Sequence, residues 1–175
     1  MKNLLCCLVV AAALAPLGCK SAKKIPVTQT VEESAALASV VHTGDPKTGN
    51  QLVNGFYGIE DNAWRWSAQK FSVSLRPPLG SAQRGAILEL AFTVPQTSID
   101  QLKTVTLSAS MGGESLPPET YNHAGTFTYR QEVAAKLLTV PAVRVDFQLD
   151  KAMKPGGADQ RDLGLVVLSA GLVAK

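Results

Sequence analysis

Cysteine, histidine and charge are all scarce in this 175-residue chain, and no apolar run is long enough to span a bilayer. There are 3 cysteines. Cys6 and Cys7 fall inside an early apolar run, leaving Cys19 alone, so neither a disulfide framework nor a cysteine metal site is expected. The 2 histidines, His42 and His123, are far apart, and G-x-S-x-G, H-E-x-x-H and Gly-rich phosphate-loop patterns are absent. The sequence therefore predicts no catalytic residue, no cofactor and no metal ligand set. Charged residues make up 18%, against about 25% in typical globular chains. The net charge is only +3 and no arginine-rich run occurs, which argues against nucleic acid as a partner. The hydrophobic share of 46% argues against wholesale disorder.

The longest apolar run, Leu4 to Leu14, follows Lys2 and is too short for a permanent span of about 20 residues. Residues 1–18 read as an export signal. The following Ala15-Pro16-Leu17-Gly18-Cys19 resembles the lipobox of bacterial lipoproteins, with Pro16 where that family prefers leucine. The resemblance implies removal of the peptide before Cys19, acylation of Cys19 and attachment to a membrane. Cleavage after Ala15 is the alternative, and it would leave Pro16 next to the cut. Lys20, in place of aspartate, implies by likeness to Gram-negative lipoproteins a lipid-anchored place in the cell envelope, at the outer membrane.

Residues 19–50 do not read as core. Thr30-Val31-Glu32-Glu33 fits a capping box, so a short helix over 31–41 and a flexible tether are alternatives. On either reading, deleting residues 20–45 is expected to leave the melting temperature almost unchanged.

From residue 51 to 175 the dominant period is two. Phe71, Val73 and Leu75 alternate with polar residues, as do Leu88 to Val94, Val105 to Met111, Phe127 to Gln131 and Val143 to Leu149. Each run describes a strand with one buried and one wet side. Turn signals separate them at Arg76-Pro77-Pro78-Leu79-Gly80, Pro95-Gln96, Gly112-Gly113, Pro117-Pro118, Asn122 to Gly125 and Lys154 to Gly157. Leu163 to Leu172 reads as a covered strand, and Val133 to Leu138 as a single helical turn. The expected fold is all-β, an antiparallel two-sheet β-sandwich, jelly-roll in preference to immunoglobulin-like.

Two segments concentrate distinctive chemistry: Gly55-Phe56-Tyr57-Gly58-Ile59-Glu60-Asp61-Asn62-Ala63-Trp64-Arg65-Trp66-Ser67 and Lys154 to Val167. Together they resemble the β-sandwich accessory module found beside some bacterial glycosyltransferases, over about Leu52 to Leu172 and with no transferase domain attached. The residues support two readings. In one, Trp64 and Trp66 fill the core while Glu60, Arg65, Asp159, Arg161 and Asp162 pair where the chain ends meet. In the other, Tyr57 and Trp64 stack on sugar rings, with Glu60, Asp61 and Asn62 as polar partners. The Asp159 to Asp162 turn has carboxylates for Ca²⁺, but Arg161 opposes a cation there.

The sequence thus favours a lipid-anchored, non-enzymatic envelope protein that binds a glycan or another envelope component. An assembly lipoprotein contacting a protein partner is the alternative. A glycoside hydrolase would need paired carboxylates in a cleft lined by the tryptophans.

Overall fold

Alternation of apolar and polar residues becomes nine antiparallel strands in the computed structural model, which describes residues 37–157 and 159–175. The expected export signal, Cys19 and most of the expected tether lie outside the described residues. The strands are β1 (Val40–His42), β2 (Leu52–Glu60), β3 (Trp64–Leu75), β4 (Ala86–Val94), β5 (Val105–Met111), β6 (Glu114–Tyr121), β7 (Gly125–Val133), β8 (Val143–Leu149) and β9 (Val166–Ala174).

Their pairing makes two layers. One runs β1-β9-β4-β7 and the other β2-β3-β8-β5-β6. With β2 left uncounted, the orders are 1-8-3-6 and 2-7-4-5, the interleaved Greek keys of a jelly roll. The expected jelly-roll sandwich is therefore the one observed. Strand β3 belongs to both layers, because Arg65 and Trp66 pair with β9 while Lys70 to Leu75 pair with β8.

The inward residues are those picked out by the period of two. Phe71, Val73, Leu75, Leu88, Leu90, Phe92, Val94, Leu107, Val145 and Leu149 are buried between the layers in one cluster. Phe71 stacks on Phe147 at 5.0 Å, and Phe56 meets Phe71 edge-on at 5.4 Å. On the far edge the layers are tied by side chains. Tyr129 on β7 donates to the Pro117 carbonyl of β6 at 2.7 Å, and Gln131 donates to Glu119 at 2.8 Å.

Three local expectations change. Pro117 and Pro118 lie inside β6 instead of in a turn. That strand has a partner only in β5, so an edge position absorbs the missing N–H groups. Pro95-Gln96 opens a short helix, α1 (Gln96–Leu102), whose seven residues were invisible to a two-residue period. The last strand begins at Val166, because Met153 and Leu163 first close the preceding loop through a separate bridge.

The tether also ends earlier than expected. Val40–His42 is strand, not helix, with Val41 fully buried against β9. The buried Gln51 holds this segment in place. Its amide accepts from Ala38 N at 2.8 Å and donates to Ala38 O and Ser74 O at 3.0 and 2.7 Å. Those bonds turn a stretch with a thin apolar face into part of the body, a tertiary effect that local pattern does not carry.

Candidate functional site

The β2–β3 hairpin explains several of the conspicuous residues by backbone alone. Asp61 and Asn62 have φ of 51° and 53°, and Ala63 N donates to Glu60 O at 3.1 Å. Two successive left-handed residues make a type I′ turn, for which Asp and Asn are the favoured residues after glycine. Both are exposed at the hairpin tip, away from any lined cavity among those described.

Tyr57 and Glu60 are drawn into a clasp with the β8–β9 loop. Arg161 grips Asp159 through Nε and Nη2, the latter at 2.8 Å, and donates to Glu60 at 2.7 Å. Its guanidinium also lies 5.2 Å from the centre of the Tyr57 ring. The Tyr57 hydroxyl donates to Asp162 Oδ1 at 2.6 Å. Burial, followed by the hydrogen bond to Asp162, raises the pKa of Tyr57 above its ordinary value. The bonds from Arg161 hold the Asp159 carboxyl down at about 2. With Asp159 engaged by Arg161, the turn does not present a vacant acidic cage. Among the described residues, no group of three or more His, Cys, Asp or Glu could hold a metal ion.

Arg65 stands apart from that clasp, contrary to the expectation that it would join the aspartates. It pairs across from buried Val167, which places it on the inward side of β3. Its guanidinium donates to the carbonyls of Thr43 at 2.9 Å and Tyr57 at 2.8 Å, sealing the seam where β1 and β2 approach. Trp66 pairs with half-buried Val166 and faces outward. Trp64 and Trp66 are half-buried, meet edge-to-face at 6.3 Å and take no part in the core cluster. Neither tryptophan fills the space between the layers. The stacking platform of Tyr57 and Trp64 is altered as well, because Arg161 stands over the tyrosine ring.

A different place has the form of a binding site. The outer face of the β2-β3-β8-β5-β6 layer holds a groove of about 320 Å³. Register builds it. Asn54 faces Ser72, Ser72 faces Asp146, Asp146 faces Ser110, and Ser110 faces Ser115, one residue from each of the layer's strands. At a strand spacing of about 4.8 Å this row is roughly 19 Å long. Lys70, Gln148 and Ser108 form a second row beside it, and Arg144 lies at the groove's margin. Gly55 allows β2 to follow the face, since at φ 73° a Cβ there would collide with the Lys70 carbonyl.

Ser72 is the anomaly at the groove's floor. It is 1% exposed, and its hydroxyl has no hydrogen-bond partner among the described residues. A hydroxyl buried without a partner costs about 1–3 kcal/mol, so such groups call for an explanation. Arg144 Nε donates to Asp146 at 2.7 Å, whereas Lys70 has no ion-pair partner among the described residues. The groove contains one carboxylate and no tryptophan, so it lacks the paired acids that glycoside hydrolysis would need.

Sequence reasoning missed this groove. Its linear signal is the serine spacing at Ser72, Ser108 and Ser110, small hydroxyls at alternating strand positions where long charged side chains are usual.

Neither a protein-family model nor a curated protein matches the sequence. Among solved structures, the chain is similar to the CBM36-1 domain of a multidomain xylanase from the hindgut metagenome of Trinervitermes trinervoides, with 11% identity and a TM-score of 0.41. That match covers 75% of this chain and 94% of the other. A CBM4 structure is similar at 10% identity and a TM-score of 0.34, covering 78% and 85% respectively.

Proposed function

We propose that this chain is a non-catalytic binding protein that takes carbohydrate into the groove on the β2-β3-β8-β5-β6 face. The observation that carries the proposal is the buried, unpartnered Ser72 hydroxyl beneath a row of short polar side chains. Sugars present closely spaced hydroxyls, each able to donate and accept, and serine, asparagine and glutamine match them in kind. The floor is also a sheet, so its serines stand on rigid backbone and lose little freedom on binding.

The domain is held in the bacterial envelope by acyl groups on Cys19, at the outer membrane. Support for that location comes from the lipobox-like Ala15 to Cys19 and from Lys20. The body then serves to hold or position a glycan near the surface to which the chain is anchored.

The test is binding of the full mature chain to a glycan array, followed by affinity electrophoresis on the glycans retained. Ser72→Ala and Asp146→Ala should weaken binding about tenfold or more, while Trp64→Ala should leave it near the parent value. Unchanged binding in both groove variants would remove the groove as the site. Mass spectrometry of the mature first residue tests the anchor separately, and an unmodified Cys19 would refute it.

A further inference from the structure

The groove has the wrong chemistry for ligands held by ring stacking. Phe71 and Phe147 line it, but they are 1% and 2% exposed and their rings lie in the core. At those positions the groove offers backbone, not an aromatic face. Trp66 stands four residues from Lys70 along β3, about 13 Å at strand rise, and is not part of the lining. A ligand in this groove must be held by hydrogen bonds and charge.

The charge is uneven. The lining holds Lys70 and Arg144 and a single carboxylate, Asp146, for a net charge of +1. Asp146 is engaged by Arg144 through Nε only, and the two Nη groups make no bond to another described residue. The Lys70 ammonium is likewise uncommitted among the described residues and sits one register step along β3 from Ser72, on the same outer face. A guanidinium edge and an uncommitted ammonium flanking a row of hydroxyl partners suit a sugar carrying a carboxylate.

Resting on the carbohydrate reading above, we infer that the groove selects acidic glycans, specifically uronic-acid-type saccharides. Lys70 and Arg144, on opposite sides of the row, receive carboxylates, and the row of Asn54, Ser110 and Ser115 receives the ring hydroxyls. Ser72 is 1% exposed, so its hydroxyl gains its missing partner only as the side chains over it move aside for a sugar hydroxyl. Asp146 keeps Arg144 oriented and repels a second negative charge, which favours sparsely charged over densely charged chains.

The experiment is an array of uronate-bearing, sulfated and neutral oligosaccharides, read with the full mature chain and followed by calorimetry on the best ligand of each class. Uronate oligosaccharides should bind at least about tenfold more tightly than neutral ones of the same length, the effect of one charge-assisted contact. Lys70→Gln should remove most of that preference and lessen its weakening by salt, and Ser72→Ala should weaken acidic and neutral ligands alike. Lys70 is exposed and Ser72, though buried, lies outside the hydrophobic cluster, and the melting temperature of each variant checks that the fold is intact. Equal affinity for acidic and neutral glycans, or an unaltered preference in Lys70→Gln, overturns the acidic class while leaving carbohydrate binding in place. Preference for sulfated over uronate ligands overturns the carboxylate assignment. Absence of any glycan binding, with a protein crosslinked at the groove instead, overturns both this inference and the reading on which it rests.

Discussion

Trp66 and Phe147 are both large aromatic residues on strands, yet their surroundings assign them different energetic roles. Phe147 stacks on Phe71 inside the sandwich at 2% exposure, so truncation leaves a cavity that rigid neighbouring strands cannot fill. Trp66 is half-buried on the outer surface, where truncation mostly uncovers its neighbour Trp64. Phe147→Ala should therefore cost about 3–5 kcal/mol by denaturant unfolding, and Trp66→Ala about 1–2 kcal/mol. Equal losses would mean that the tryptophan pair supports the fold as much as the core does. Residue type alone cannot separate the two, because both occupy alternating positions in strong strand sequences. The register of β3 against β9 decides it, by placing Arg65 opposite buried Val167 and so turning its neighbours outward.

At the scale of elements, the β8–β9 loop is held by the Arg161 clasp, and acid should test it. The Asp159 carboxyl titrates at about 2 when clasped, against 3.8 for an ordinary aspartate. A lowered folded pKa means that its stabilising contribution is complete above 3.8 and is lost as pH falls toward 2. The loop should remain clasped at pH 3, with the Asp159 carboxyl signal in NMR moving only near pH 2. Arg161→Ala should return that midpoint toward the ordinary aspartate value and expose the loop to proteolysis. A midpoint near 4 in the parent protein would show that the clasp does not hold in solution.

The first strand gives a second element-scale prediction. Deleting residues 20–45 removes Val41 from the core, the β1–β9 pairing and the Thr43 carbonyl that receives Arg65. The loss should be about 3 kcal/mol or more, lowering the melting temperature by on the order of 10 °C. An unchanged melting temperature would restore the expectation of a free tether. The five alternating runs were legible because each declares its own inward face, whereas β1 is only three residues long and declares none. Its place depends on nearby Gln51 and on Ser74 and β9, both distant in sequence.

For the whole molecule, the jelly-roll order explains why the fold was easier to read than the site. A sandwich needs only alternation and turns, which every strand carries locally. The groove needs register: Asn54, Ser72, Asp146, Ser110 and Ser115 are spread from position 54 to position 146 and become neighbours only when the strands align. The same interleaving binds the layers into one unit. Near-ultraviolet and far-ultraviolet circular dichroism should therefore report coincident thermal transitions, since side-chain packing and backbone pairing are lost together. Separate midpoints would mean that one layer survives the other.

Strand β3 adds a mechanical consequence, because its two halves are stitched to different sheets. A tug delivered to the domain near β1 passes into β9 and from there, by main-chain bonds, into β3 and the opposite sheet. Load is shared across both sheets instead of peeling one away.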